Sequence, residues 1–199
     1  MVYLSRIYTR SGDQGETSIG DGSRVSKCDQ RIVASGSIDE LNCCVGIAAT
    51  CCEDSAVREQ LMVLQHWLFD LGADLTCPPP KEGQPGRRLQ IEQRHVDQLE
   101  NLIDQYLAQQ QPLSSFVLPG GSLSAAHLHL ARAVCRRAEI EVLRLHAETD
   151  INRLTTVFLN RLSDLLFVMA RTANRNGTED VLWRPGITNG PMQPDESAK

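Results

Sequence analysis

Residues 55–75 read SAVREQLMVLQHWLFDLGADL, with apolar side chains at Val57, Leu61, Leu64, Leu68, Leu71 and Leu75. Spacings of three and four place all six on one stripe of an α-helix, a period that no strand satisfies. The same spacing recurs over 29–52, where Ile38, Leu41, Val45, Ala48 and Cys52 share a face. It returns over 92–110 (Val96, Leu99, Ile103, Leu107) and 151–174 (Leu154, Phe158, Leu162, Leu165, Met169). Between these, 116–121 reads FVLPGG, and Ser122 after the glycines is a natural N-cap for a helix running to about residue 146. The run CPPPKEGQPGRR at 77–88 cannot continue a helix and is a loop. Five helices with short connections and no evident strand predict an all-α, up-and-down bundle, which disfavours sheet-based nucleotide folds. The expected organisation is a single domain over 1–199: an N-terminal loop at 1–28, the bundle at 29–176, and a flexible, irregular tail at 177–199.

The 199 residues carry 20 Lys plus Arg against 25 Asp plus Glu, so 20 − 25 gives the net charge of −5 and argues against a nucleic-acid coat. A 41% hydrophobic and 23% charged composition suits a packed core rather than a disordered chain. The longest unbroken apolar stretch, 165–170, is too short to span a bilayer, and 1–6 (MVYLSR) lacks a signal-peptide apolar region. The expectation is a cytoplasmic protein that engages no membrane. Seven cysteines, two of the pairs adjacent (Cys43-Cys44, Cys51-Cys52) and none in CxxC spacing, read as reduced thiols rather than bridges or zinc ligands. Lysine occurs only at 27, 81 and 199, so 20 − 3 leaves 17 arginines, whose planar forks suit phosphate and carboxylate.

Three constellations could carry chemistry. The segment 8–18 (YTRSGDQGETS) interleaves Gly12 and Gly15 with Thr9, Ser11, Thr17 and Ser18, while Arg10 and Lys27 add positive charge. Such a loop can turn backbone N–H groups and hydroxyls onto an anion, or be a plain surface turn; it is not a Walker A loop. Further on, Arg132, Arg136 and Glu139 share a helix face, and Arg137 points elsewhere. Two stacked guanidiniums call for a shared anion unless the face is simply solvated, and Asp39 and Glu40 are candidate partners from the protein itself. Finally, Asn160, Asp164, Phe167 and Arg171 form a stripe suited to a cleft or subunit edge. A dimetal reading of Glu92-x-x-His95 fails because no second such motif exists, and His127 and His129, two apart, face different sides. No protein metal site is expected.

Four ordered blocks resemble the PduO-type ATP:cob(I)alamin adenosyltransferases: residues 8–18 with Lys27, then GSIDELN at 36–42, LPGGSLSAAHLHLARAVCRRAE at 118–139, and LNRLSD at 159–164. The resemblance implies a trimeric five-helix bundle that binds MgATP between adjacent subunits. It implies transfer of the 5′-deoxyadenosyl group to the cobalt of cob(I)alamin with release of triphosphate. On that likeness Thr9, Arg10, Ser11, Gly12, Gly15, Thr17, Ser18 and Lys27 hold the nucleotide from one subunit. Arg136, Arg137, Glu139 and Asn160 complete the site from the neighbour, and Arg132 pairs with Asp39 across the boundary.

Phe116 falls where the family places an apolar residue that displaces the lower axial ligand of cobalt, with Phe167 as a second aromatic wall; without the resemblance, Phe116 reads as a staple beneath the turn. ATP, Mg²⁺ and the corrinoid are the implied ligands, and a reductase and an adenosylcobalamin-dependent client enzyme the implied partners. Ile140 departs from the pattern, standing where many members carry another arginine. Two rival readings of the same residues are a bundle ATPase or phosphotransferase, and a nucleotide-binding scaffold without turnover.

Overall fold

The computed structural model describes residues 7–78 and 89–187. Its helices are α1 (Gln30–Cys51), α2 (Ser55–Thr76), α3 (Gln93–Leu107), α4 (Leu123–Glu148) and α5 (Leu154–Ala173). α1 and α4 form the central pair; α2 packs on α1, α5 on α4, and α3 on α5. Trp67 of α2 closes the ring, edge-on to His95 of α3 at 5.3 Å and to Phe158 of α5 at 6.2 Å. The five-helix bundle therefore stands as the periodicity predicts.

Local chemistry sets the helix starts. Asp29 caps α1 by accepting from Arg31 N, Asp54 caps α2 through Ala56 N and Val57 N, and Ser122 caps α4 through Ala125 N. The Glu92/His95 pair that mimics a metal motif is instead a reciprocal cap at the start of α3: Glu92 N donates to His95 Nδ1 at 2.9 Å. The α2 stripe from Val57 to Leu75 is buried at all six positions, as are Phe158, Leu162, Leu165 and Met169 on α5. Full burial of each such side chain is worth about 1.5–3 kcal/mol. On α3 the stripe fades, because Ile103 is half-buried and Leu107 exposed where the helix ends.

α1 is long and apolar enough to cross a membrane by composition alone. Its apolar side packs on α2 and α4, and Asp39 and Glu40 lie on its exposed side, so it is a core helix.

Two expectations need correction. The N-terminal loop contains an antiparallel hairpin, β1 (Glu16–Ser18) with β2 (Arg24–Ser26), pairing Thr17 with Val25. Its turn is closed by Asp21, whose Oδ1 accepts from Ser23 N, and by Gly22 at φ +83°. The sequence signal was the Asp-Gly dipeptide within 19–23. The predicted flexible tail is not uniformly free either. Residues 177–183 are tied to the bundle through the Arg171–Asp180 ion pair (2.8 Å) and an antiparallel bridge between Val117 and Leu182. Residues 188–199, which the tail reading also covered, lie outside the described residues.

Candidate functional site

The hairpin fixes the loop before it. Lys27 N donates to Gly15 O at 2.8 Å, and Gly15 takes φ +85°, a backbone shape that glycine adopts without strain. Arg10 is also left-handed, at φ +60°, and its guanidinium lies over the Tyr8 ring at 5.7 Å. Thr9 and Ser11 share a hydroxyl hydrogen bond of 2.8 Å, and Arg24 Nη2 donates to Ser11 O at 2.8 Å. A side chain at Gly12 would meet Lys27 Nζ at 3.1 Å, so the glycine lets the ammonium lie against the loop. Gly20 N donates to Thr76 O at 3.0 Å and anchors the hairpin on the end of α2. Thr17 and Ser18 lie on β1 beside this cradle, Ser18 exposed and Thr17 half-buried.

The arginine stripe lies on α4. Arg136 is exposed and Arg132 half-buried. Burial, and then the Arg136 charge, lower the affinity of Arg132 for its proton. Among the described residues neither makes an ion pair within the chain, and the Arg132 Nε is buried with no partner. Two neighbouring cations without a carboxylate between them are poised for an external anion. Beside them Asn160 Nδ2 of α5 donates to Glu139 Oε1 at 3.3 Å, so the structure brings these two expected residues together. Arg161 Nη1 donates to Asn160 Oδ1 at 2.9 Å and fixes the amide's orientation. Arg137, by contrast, is engaged by Glu40 of α1 in an ion pair. Asp39 stays exposed, without an ion pair in its own chain among the described residues, on a groove of about 510 Å³ between α1 and α2.

The aromatic residues are held separately. Phe116 is 78% exposed and so is no staple beneath the turn. Its backbone is clamped: Trp183 N donates to Phe116 O at 2.7 Å, Leu118 N to Val181 O at 2.8 Å, and Ser115 Oγ to Trp183 O at 2.8 Å. The Trp183 ring lies 6.1 Å from the Phe116 ring. Behind the loop, Gly121 adopts φ +98°, and an added Cβ there would fall 2.2 Å from Asn174 Oδ1. That oxygen accepts from Ser122 N, while Asn174 Nδ2 donates to Gly120 O and to Asp180 Oδ1. Phe167 lies 6.0 Å from the His129 ring and lines a second groove, between α3 and α5.

Among the described residues, no hydrogen bond or ion pair joins the loop at 8–18 to Arg136, Glu139 or Asn160 of the same chain. Arg171, read as part of a cleft or subunit edge, does border the groove that Phe167 and Asp164 line, while its side chain is 4% exposed and locked to Asp180. Asp180 lay in a segment without periodicity and offered no signal. No group of three or more His, Cys, Asp or Glu side chains among the described residues could hold a metal ion.

The family model for cobalamin adenosyltransferase matches residues 7–173. The chain belongs to the cobalamin adenosyltransferase family. It is 47% identical over 189 residues to a corrinoid adenosyltransferase of Mycobacterium tuberculosis, covering 93% of this chain and 96% of that one. A cobalamin adenosyltransferase of Cupriavidus metallidurans is likewise 47% identical over 185 residues, covering 91% and 95%. A solved structure of a variant PduO-type ATP:corrinoid adenosyltransferase from Lactobacillus reuteri, complexed with cobalamin and ATP, superposes with a TM-score of 0.84. It is 36% identical over 90% of this chain and 97% of that one. The adenosyltransferase family match runs from residue 7, ahead of the loop at 8–18, through α5, so it spans both halves of the candidate site.

Proposed function

We propose that this protein transfers the 5′-deoxyadenosyl group of ATP to the cobalt of a reduced corrinoid and releases triphosphate. The observation that carries the reading is the Arg132–Arg136 pair on α4, two mutually disfavoured cations beside the Glu139–Asn160 bond, within a chain of this family. Cob(I)alamin is itself the nucleophile: its cobalt electron pair forms the Co–C5′ bond as the C5′–O bond breaks towards triphosphate. The protein therefore supplies position and charge rather than a base. Lys27, Arg10, the hydroxyls of Thr9, Ser11, Thr17 and Ser18, and the backbone at Gly12 and Gly15 hold the nucleotide from one chain. Arg136, Glu139 and Asn160 complete the site from another, with Arg137 steadied by Glu40 at its border.

Mg²⁺ would arrive on the triphosphate, as the usual companion of ATP. Glu139 is the carboxylate at hand, and the ion would supply further neutralisation of the leaving group. Phe116, exposed on a clamped loop, meets the lower corrinoid face, and Phe167 walls the pocket. Asp39 takes Arg132 of the next copy. The assembly is a homotrimer with sites between subunits, which the exposed apolar Val33 and Ile47 of α1 and Leu130, Ile140 and Leu143 of α4 support. Seven free cysteines suit the cytoplasm. A reductase delivers the electron and an adenosylcobalamin-dependent enzyme receives the product.

The test is anaerobic incubation with MgATP and chemically reduced cob(I)alamin, following the corrinoid spectrum and the phosphate product. Light-sensitive adenosylcobalamin with intact triphosphate supports the proposal. Phosphate or pyrophosphate would make the protein an ATPase or phosphotransferase, and ATP binding without turnover a scaffold.

A further inference from the structure

His129 lies on α4 one turn before Arg132, only 2% exposed. Neither ring nitrogen has a hydrogen-bond partner, and the Arg132 Nε one turn on is equally buried and equally without one. Buried polar atoms rarely go unpaired, because each costs about 1–3 kcal/mol when left so. Side chains three apart on a helix share a face, and the later one leans back over the earlier. Arg132 Nε–H and the His129 imidazole therefore share a helix face without being bonded to one another in this chain.

We propose that His129 is a positioning residue for the transfer reaction: when Arg132 swings onto the carboxylate it serves, the neutral ring accepts a hydrogen bond from Arg132 Nε–H and aims the outer guanidinium nitrogens at that carboxylate. This inference rests on the reading that Arg132 acts at the subunit boundary with Asp39. A neutral imidazole always has one acceptor nitrogen, whereas a protonated one has none and repels the guanidinium.

The surroundings keep the ring neutral. Burial and then the Arg132 charge hold its proton affinity below the ordinary histidine value, opposed by Asp180 from the segment after α5. The Asp180 carboxylate is already taken by Arg171 and Asn174. From α5 the ring meets uncharged Phe167. A purely packed ring gives no reason for both nitrogens and the neighbouring Nε to be orphaned together.

The experiment compares full-length wild type, His129→Phe, His129→Gln and Arg132→Ala in the anaerobic transfer assay, from about pH 5.5 to 8.5. His129→Phe keeps a ring but no acceptor, and is expected to lower kcat/KM about tenfold. His129→Gln keeps an acceptor that does not titrate. It should recover most of that loss and erase an acid limb that wild type shows below the ordinary histidine range. Wild-type kinetics in His129→Phe, or an unchanged acid limb in His129→Gln, overturns the proposal. If His129→Phe folds poorly, the His129→Gln pH profile decides alone. Arg132→Ala separates the two levels: unchanged kcat/KM there removes the underlying reading and this inference with it. Loss in Arg132→Ala without loss in His129→Phe removes only the role of His129.

Discussion

Replacing Asp180 with alanine strikes the joint between bundle and Phe116 loop. The Arg171 and Asp180 side chains are 4% and 1% exposed, 2.8 Å apart, and after the change Arg171 keeps only its bond to Gln111 O. Breaking a buried pair on one side costs about 3–5 kcal/mol. The chain has an escape, which is to let residues 177–183 lift so that water reaches the guanidinium. That gives up the three hydrogen bonds between 115–118 and 181–183, at about 1 kcal/mol net each. Both routes converge on roughly 3 kcal/mol, a large share of the 5–15 kcal/mol typical of a whole domain. Urea unfolding should show that loss if the segment stays down. If it lifts, chymotryptic cleavage after Trp183 should accelerate roughly a hundredfold, because cleavage tracks the open population. The double variant Arg171→Met, Asp180→Leu should regain much of the stability, since an apolar pair no longer demands partners. A loss under about 1 kcal/mol with unchanged cleavage would refute the lock.

Arg136→Ala should remove at least one charge-assisted phosphate contact, about 2 kcal/mol or thirtyfold in kcat/KM for ATP, read by steady-state kinetics. Either single change in the proposed Arg132–Asp39 pair should weaken assembly, measured by sedimentation, and activity; the charge-swapped double variant should recover part of the loss, whereas additive losses would dissolve the pairing. Phe116→Ala should slow the reductive half of the reaction far more than it weakens ATP binding, and because the ring is exposed it should leave thermal stability within about 0.5 kcal/mol.

The helices were legible because their information is local and repeated: six apolar positions between Val57 and Leu75 need no tertiary knowledge to be seen as a face. Ser122 as a cap was equally plain, as was the shared face of Arg132, Arg136 and Glu139. Glu139 and Asn160 lie 21 residues apart on different helices, and their meeting followed from the resemblance rather than from spacing. The hairpin escaped notice because strands of three residues are too short for alternation to register. Asp180 was invisible for a different reason. Its partner Arg171 sits inside a helical stripe that reads as a cleft or subunit edge, and only the folded chain shows the segment turning back over it. The Glu92–His95 spacing shows the converse, a motif whose residues do meet but whose purpose is to begin a helix.

The hairpin's seat on α2 lets the loop at 8–18 be loosened from a distance. Where Gly20 rests on the end of α2, an added Cβ would lie only 2.2 Å from Cys77 Sγ, so the two surfaces touch with no room for another atom. A methyl group placed there by Gly20→Ala would wedge the hairpin off α2 and strain the bond from Gly20 N to Thr76 O, with every residue of the loop left unchanged. A weaker hold on ATP in that variant would be felt through a joint that ATP never touches.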